Sequence, residues 1–293
     1  MRLGVFGPWL EPWSSARSTW QNLEQIGFDV AYLGDHLTHP TLKGRWIGDA
    51  YATLAAVAQV TTRLELGTLV ASTVIRAPAP LARVAATLQD LSGGRFVLGV
   101  GAGVPGDEEV VWGSARRGEE RFRLFTETVE AVSALWSGAS SGSGNHVRVE
   151  GVDPLPLVPG QGPPHLMISA HGPRGYDLVA KLGDGWSSYG GASAAYLTDH
   201  DFWLLVTKQS HAVTRACEHA GRDPAKLRRS LLVGYGSMQP LASEDAYLDT
   251  LEYADRAGYD EVVVYWPWPD TVPGDRFWAE PETVASAIAR ARG

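Results

Sequence analysis

The chain has 293 residues, of which 44% are hydrophobic and 20% charged, a composition typical of a soluble globular protein with a large core. Its net charge of −8 argues against nucleic acid or an anionic membrane as the main partner. No apolar run approaches the roughly 20 residues that a membrane-spanning helix needs. The single cysteine, Cys217, and the absence of a signal-peptide apolar segment at the start predict a cytoplasmic protein.

Short apolar or β-branched runs alternate along the chain with segments of helical period. The predicted strands are Leu3–Phe6, Val30–Leu33, Leu64–Ala71, Phe96–Val100, Leu166–Ser169, Gly185–Tyr189, Leu231–Tyr235 and Glu261–Tyr265. The clearest predicted helices are Tyr51–Ala58 with Asp49 as its cap, Leu81–Leu91, Phe122–Trp136, Tyr247–Ala254 and Glu282–Arg292.

Strands that alternate with helices predict a parallel sheet. Eight such units in 293 residues favour a single (β/α)8 TIM-barrel domain over residues 1–293, rather than an open doubly wound sheet. Residues 137–164 are rich in Gly, Ser and Pro around a short alternating run, HVRVEGV. We interpret them as an insertion between the fourth helix and the fifth strand that could carry a hairpin. A linker between two domains is the alternative, but neither half then has an obvious core of its own.

Polar residues follow several of the predicted strands, and the active sites of barrels form at the C-terminal ends of strands. Asp35 and His36 follow the second strand, although a lone Asp-His pair can also cap a turn and pack on a wall. After the fourth strand, Gly99, Gly101 and Gly103 would let backbone approach a ligand closely. After the fifth comes SAHGPRG, where a Gly-Pro helix start leaves free N–H groups that can bind a phosphate.

The run GVGAG imitates a dinucleotide-binding fingerprint, but only weakly. The residues that follow it, VPGDEE, do not open an apolar-periodic helix, and the strand is not the first of a βαβ unit. We therefore do not predict a dinucleotide site there.

Taken together, these segments resemble the luciferase-like monooxygenase superfamily, the barrel family of flavin- and deazaflavin-dependent oxidoreductases. The matching stretches are GFDVAYLGDH (27–36), RLELGTLVAS (63–72), RAPAPLARVAATLQDLSGGRFVLGVGAG (76–103), HGPRGYDLVAKLGDGW (171–186), AGRDPAKL (220–227) and AGYDEVVVYWP (257–267). The resemblance covers nearly the whole chain, and LSGGRFVLGVGAG is its most specific part. It implies an eight-unit barrel that binds a flavin or 5-deazaflavin ring in its mouth.

The resemblance also implies where the ring would lie. Many members have a non-proline cis peptide at the end of the third strand, which here would join Leu69 and Val70 behind the ring. Ser72 would lie near the pyrimidine edge of the ring. The residues expected beside the ring are Gly101, Ala102 and Gly103.

The cofactor phosphate is expected, on the same resemblance, at the loop after the fifth strand. Backbone groups and the Gly-Pro helix start would bind it, and the residues concerned are Ser169, Ala170, His171, Gly172, Pro173 and Arg174. The side chain of Arg174 could add charge there, or it could be an ordinary surface group.

In deazaflavin dehydrogenases of the family, the His of a similar Asp-His pair acts in proton transfer near the hydride-carrying carbon. His36 matches that position, and imidazole suits a general acid or base at neutral pH. Asp35 would orient His36 or bind the ring edge.

The sequence differs from the sugar-phosphate-oxidising members of the family at two positions that bear on the reaction. Pro40 stands where those members carry a Trp, and Val104 stands where they carry a Glu acid, with Asp107 and Glu108 just beyond. Oxidation of a sugar phosphate is therefore not supported.

The nature of the cofactor decides the reaction class. Reduced flavin reacts with oxygen and supports monooxygenation, whereas a deazaflavin carries hydride. Compact members more often resemble the deazaflavin group, so we favour 8-hydroxy-5-deazaflavin, coenzyme F420, with FMN as the alternative. Against this, the natural coenzyme has an acidic tail and the chain offers only scattered basic residues: Lys43, Arg45, Arg76, Arg116 and Arg117.

The sequence thus predicts an oxidoreductase that moves hydride between a deazaflavin and a small-molecule organic substrate, acting as a reductase, with a homodimer possible. Candidates for substrate walls, with a core position equally open for each, are Trp9, Trp46, Trp112, Trp186 and Tyr189. One rival is a metal-dependent barrel hydrolase or isomerase, with ligands drawn from His36, His39, Asp49, His171 and Asp184. Another rival is a barrel that binds a ligand without catalysis.

Overall fold

The fold is that of a computed structural model, which describes residues 1–8, 10–38, 45–153, 155, 157–234, 238–268 and 277–293. Eight parallel strands form a closed barrel: β1 Arg2–Phe6, β2 Val30–Leu33, β3 Glu65–Ser72, β4 Phe96–Gly101, β7 His165–Ser169, β8 Gly185–Ser188, β9 Arg228–Leu232 and β10 Glu261–Tyr265. Strand β1 pairs with both β2 and β10, which closes the sheet on itself. The predicted TIM barrel is confirmed.

Helices connect the strands and cover the outside of the barrel. They are α1 Trp13–Ile26, α2 Ala50–Ala58, α3 Pro78–Leu91, α4 Pro105–Trp112, α5 Gly118–Trp136, α6 Pro173–Leu182, α7 Asp199–His219, α8 Glu244–Arg256 and α9 Pro281–Arg292. Two short 3-10 turns span Ala194–Tyr196 and Pro224–Lys226. The predicted cap of α2 is confirmed, since Asp49 accepts a hydrogen bond of 2.9 Å from the N–H of Ala52. None of the helices in the described part of the chain is both long and apolar enough to cross a bilayer.

Most barrel strands are buried on both faces, so they appear in the sequence as continuous apolar runs. Strand β9 is the exception, and its predicted range of 231–235 is wrong because the strand begins at Arg228. Its first two residues are arginines: Arg228 binds a carboxylate at the N-terminal end of the barrel, and Arg229 donates to the hydroxyls of Ser210 and Thr214. Arg228 donates two hydrogen bonds, of 2.8 and 2.7 Å, to Glu65 Oε2. The predicted end of this strand, Tyr235, lies outside the described residues.

A short antiparallel pair, β5 Gly142–Ser143 with β6 Arg148–Val149, lies between α5 and β7. The predicted hairpin within residues 137–164 is thereby confirmed. The carboxylate of Glu127 on α5 accepts hydrogen bonds from three backbone N–H groups of the hairpin turn, in residues 145–147. These bonds fix the inserted segment to α5, on the outside of the barrel.

Candidate active site

A cis peptide bond joins Leu69 and Val70 in β3, as predicted. The register between β3 and β4 shifts at the same place, between Thr68 and Ala71. The side chain of Val70 lies against the neighbouring strand, where a Cβ on Gly101 would be only 2.4 Å from Val70 Cγ2. The bulge at the end of β3 therefore requires glycine at the end of β4.

The glycines at and just after the end of β4 pack closely against β3. A Cβ on Gly99 would lie 2.0 Å from the carbonyl oxygen of Thr68, so this position and Gly101 make room for β3. Gly103 has a φ of +73°, and a Cβ there would lie 2.5 Å from Ser72 Oγ. Packing within the protein therefore already favours glycine at these three positions, and their place beside a ligand stays a prediction.

Ser72 is buried, and its hydroxyl has no hydrogen-bond partner among the described residues. A buried hydroxyl without a partner is unfavourable, so a hydrogen bond to a ligand in the mouth of the barrel would stabilise it. Ala102 and Gly103 beside it are half-buried. This orphaned hydroxyl is the observation in the structure that best fits a bound ring at this place.

Asp35, directly after β2, is buried and paired with Arg76. The guanidinium donates to both carboxylate oxygens, at 2.8 Å from Nη2 and 3.1 Å from Nε, and also reaches Asp49 at 2.7 Å. The hydrogen bond with Asp35 is the main cause of a raised pKa for Arg76, although burial opposes it. Asp35 thus binds Arg76, whereas the carboxylate bound to His36 is that of Asp107. The two roles expected for Asp35, to orient His36 or to bind the ring edge, stay predictions.

His36 is bound to a carboxylate on α4, the helix that follows β4. Its Nδ1 lies 2.8 Å from Oδ2 of Asp107, which is fully buried. The other oxygen of Asp107 accepts the N–H groups of Leu37 and Thr38, at 2.9 and 2.8 Å. Burial raises the pKa of Asp107, but the hydrogen bonds from His36, Thr38 and Leu37 outweigh it and the net shift is downward. The side chain of Asp107 is therefore an ionised carboxylate at neutral pH.

Helix α4 carries Asp107, and sequence reasoning missed it because the helix has no apolar stripe. Its buried face is acidic: Glu108 is also fully buried and is paired with Arg116 and Arg121. Burial raises the pKa of Glu108, and the hydrogen bonds from these arginines lower it by more. The available signals were Pro105 at the first helical position and two acidic residues in the first turn.

The predicted phosphate loop lies at the C-terminal end of β7. Helix α6 begins at Pro173 with no side chain that caps it, so the first-turn N–H groups of Arg174 and Gly175 have no partner within the helix. The indole N–H of Trp186 donates to the carbonyl of Ala170 at 2.9 Å. This bond fixes the peptide plane and turns the N–H of the next residue, His171, to the opposite side.

His171 is half-buried, and its Nε2 accepts a hydrogen bond of 3.3 Å from the N–H of Tyr189. The two rings meet edge to face, with centroids 4.5 Å apart. Burial lowers the pKa of His171 to about 4, so its imidazole is neutral at pH 7. His171 can offer hydrogen bonds to a phosphate, but no positive charge.

Arg174 does not face this loop. Its guanidinium forms a two-pronged pair with Glu119 of α5, at 2.9 and 2.7 Å, and lies 4.6 Å from the ring centre of Phe122. The pKa of Glu119 is lowered to about 2, chiefly by its hydrogen bonds with Arg174 and then Arg123. The side chain of Arg174 is thus engaged with Glu119, and its contribution to a phosphate site stays a prediction.

The aromatic residues predicted as candidates for substrate walls differ in burial. Trp186 is fully buried and stacks on Tyr259 at 5.5 Å, so it belongs to the core. Trp46 and Trp112 are exposed, and the indole of Trp112 donates to the carbonyl of Val74 at 2.8 Å. Trp9 lies outside the described residues, as do His39, Pro40 and Lys43.

Those proposed metal ligands that the structure describes are not gathered in one place. Asp49 binds Arg76, and Asp184 accepts the N–H of Leu166 at 2.9 Å, at the opposite end of the barrel from His36. Within the described ranges, no three His, Cys, Asp or Glu side chains form a group that could hold a metal ion.

Comparison with known proteins finds a matching family and several F420-dependent relatives. The family described as luciferase-like monooxygenase matches residues 1–235. An F420-dependent glucose-6-phosphate dehydrogenase of Nocardia farcinica is 32% identical over 228 residues, which are 76% of this chain and 65% of that protein. An F420-dependent hydroxymycolic acid dehydrogenase of Mycobacterium tuberculosis is 31% identical over 211 residues, 71% of this chain and 54% of that protein. The chain thus spans between about half and two thirds of these relatives.

Solved structures show the same fold at lower identity. An F420-dependent secondary alcohol dehydrogenase, in complex with an F420-acetone adduct, superposes with a TM-score of 0.75 at 19% identity, over 92% of this chain and 94% of that one. The monooxygenase RslO1 from Streptomyces bottropensis gives 0.69 at 22% identity, over 99% and 97% of the two chains.

Proposed function

Because the chain belongs to the luciferase-like monooxygenase family, we propose that it is an oxidoreductase that transfers hydride from reduced coenzyme F420 to a small organic substrate. Relatives named as F420-dependent support the deazaflavin over FMN. The observation that carries the proposal is His36, held by a buried carboxylate at the strand ends that also carry the cis peptide.

The residues in the barrel mouth fit such a cofactor. The ring would lie against the bulge at Leu69–Val70, with the unpartnered hydroxyl of Ser72 at its edge and residues 101–103 beside it. The phosphate would be bound by backbone N–H groups of residues 170–172 and by the uncapped start of α6. When bound, the coenzyme supplies the carbon that carries hydride.

His36 would supply the proton that the reaction needs. Reduction of a carbonyl or imine adds hydride to carbon and a proton to oxygen or nitrogen, and the His36 imidazolium can donate that proton. In the reverse direction, neutral imidazole would accept the proton of an alcohol. The proton is then exchanged with solvent, so His36 returns to its starting state.

The surroundings of His36 favour an apolar substrate. Four partly exposed side chains define an apolar rim: Leu37, Val104, Val111 and Trp112. The N–H of Leu37 binds Asp107. Val104 is the N-cap residue of α4, three residues before Asp107, and Val111 lies one helical turn after Asp107 on α4. The nearby arginines 76, 116 and 121 are already paired with carboxylates. We therefore propose an uncharged ketone, enone, imine or alcohol rather than a sugar phosphate.

Equilibrium binding tests the cofactor proposal. Purified protein is titrated with oxidised F420 and, separately, with FMN, and the fluorescence of each is followed. Tight binding of F420 with weak binding of FMN supports the proposal. The reverse would favour the family's other chemistry, an FMN-dependent monooxygenase, and binding of neither would contradict both.

We also propose a cytoplasmic homodimer. The single cysteine, Cys217, is buried and forms no disulfide within the chain. A groove between α2 and α3 is lined largely by apolar side chains, among them Ala52, Ala55, Val84 and Leu88. At its end Leu91 is 42% exposed, and burial of this groove against a second copy would remove the apolar surface from water.

A further inference from the structure

The contact between His36 and Asp107 bears on where the imidazole carries its proton. A neutral imidazole has one N–H donor and one acceptor nitrogen, and its hydrogen-bond partners decide which nitrogen is which. An ionised carboxylate can only accept. With Asp107 Oδ2 at 2.8 Å, Nδ1 of His36 must be the donor.

The carboxylate itself cannot easily turn away. Its Oδ1 accepts two backbone N–H groups and, at 3.1 Å, the hydroxyl of Thr38, while the whole side chain is excluded from solvent. Oδ2 is thereby directed at His36. The same hydrogen bonds that fix the turn of residues 36–38 also fix the acceptor for the imidazole.

We propose that Asp107 is a positioning residue that holds the proton of neutral His36 on Nδ1 and so makes Nε2, on the far side of the ring, the nitrogen that exchanges a proton with the substrate. In the imidazolium form the transferable proton is then the one on Nε2, because the proton on Nδ1 is bound to Asp107. The inference rests on the proposed function for the identity of the reaction, but not for the protonation of the resting protein.

The variant Asp107→Asn tests this directly because it keeps the shape of the side chain and replaces one acceptor oxygen by an NH₂ donor. The amide oxygen can still accept the N–H groups of Leu37 and Thr38, whereas the reversed orientation would face NH₂ toward both of them. The NH₂ group must then face Nδ1 of His36, which becomes the acceptor. The proton of neutral His36 is expected to move to Nε2.

The measurement is ¹⁵N NMR of protein labelled at histidine, at a pH where His36 is neutral, with the His36 signals assigned from a His36→Asn spectrum. We expect a protonated Nδ1 in the unaltered protein and a protonated Nε2 in Asp107→Asn. The matched control is Glu108→Gln, which alters the adjacent buried carboxylate and should leave the His36 signals unchanged. A protonated Nε2 in the unaltered protein would overturn the inference. A proton that stays on Nδ1 in Asp107→Asn would also overturn it.

Activity gives a second readout that a merely structural role would not produce. We expect Asp107→Asn to lower kcat for hydride transfer about 100-fold, the scale of general acid-base catalysis, with F420 affinity unchanged. If the proton moves to Nε2 in Asp107→Asn and kcat is unaltered, a role for Nε2 in proton transfer is contradicted. The nitrogen signals are read without turnover, so they decide the positioning role even where no deazaflavin reaction is found.

Discussion

Asp35 and His36 are adjacent in the chain but bind different partners. Asp35 reaches Arg76, and His36 reaches Asp107. The sequence predicted both residues for the site from their place after the second strand. It could not predict their partners, which lie 41 and 71 residues further along the chain.

A single methyl group at Gly101 tests the contact between the bulge and β4. Gly101→Ala would place Cβ 2.4 Å from Val70 Cγ2. We expect the free energy of unfolding in urea to fall by about 1–3 kcal/mol, as for other overpacked cores. The control is Gly118→Ala, where a Cβ meets nothing within 4 Å. Equal stability of the two variants would show that Val70 does not need this glycine.

Helix α4 was not predicted from the sequence. Apolar periodicity finds a helix that buries a hydrophobic stripe, but α4 buries Asp107 and Glu108. Its position is set by the hydrogen bonds that Asp107 forms with residues 36–38, far away in the chain, and by the ion pairs of Glu108 with Arg116 and Arg121, 8 and 13 residues further on. The helices whose apolar faces pack on the barrel, such as α5, were predicted well for the opposite reason.

The ion pairs of α4 predict a dependence on pH. The pKa of Glu108 in the folded protein is lowered, so its contribution to stability is present above its unfolded pKa of about 4.3 and is lost as the pH falls through the lower folded value. Glu108→Gln should therefore destabilise the protein by about 2 kcal/mol at pH 7. The gap between the two proteins should close below pH 4, measured by urea unfolding across the acid range. A gap that stays constant down to pH 3 would contradict this account.

At the scale of the whole molecule, the barrel was predictable and its polar interior was not. The apolar strands gave the count and the order of the units. The buried network that joins the first and last strands was not visible: the hydroxyl of Tyr32 donates to Glu261 at 2.9 Å, and Arg2 reaches the same carboxylate at 3.2 Å. Such pairs depend on the closure of the barrel, which brings together residues from the two ends of the chain.

The proposed homodimer is also a property of the whole molecule. Ala55→Glu would place a charge in the groove between α2 and α3 and should shift the protein to monomer, because the interface could not solvate it. Light scattering after size exclusion measures the mass. A monomer in the unaltered protein, or a dimer that survives Ala55→Glu, would contradict this interface.

The central claim is that His36 serves hydride transfer from a deazaflavin to an apolar substrate. The most direct measurement is a single turnover of bound reduced F420 mixed with a panel of ketones, enones and imines, with glucose 6-phosphate and oxygen as comparisons. We predict oxidation of the coenzyme by an apolar acceptor and not by oxygen, slowed about 100-fold in His36→Asn with unchanged F420 affinity. Oxidation that needs oxygen, or that is as fast in His36→Asn, would contradict the account.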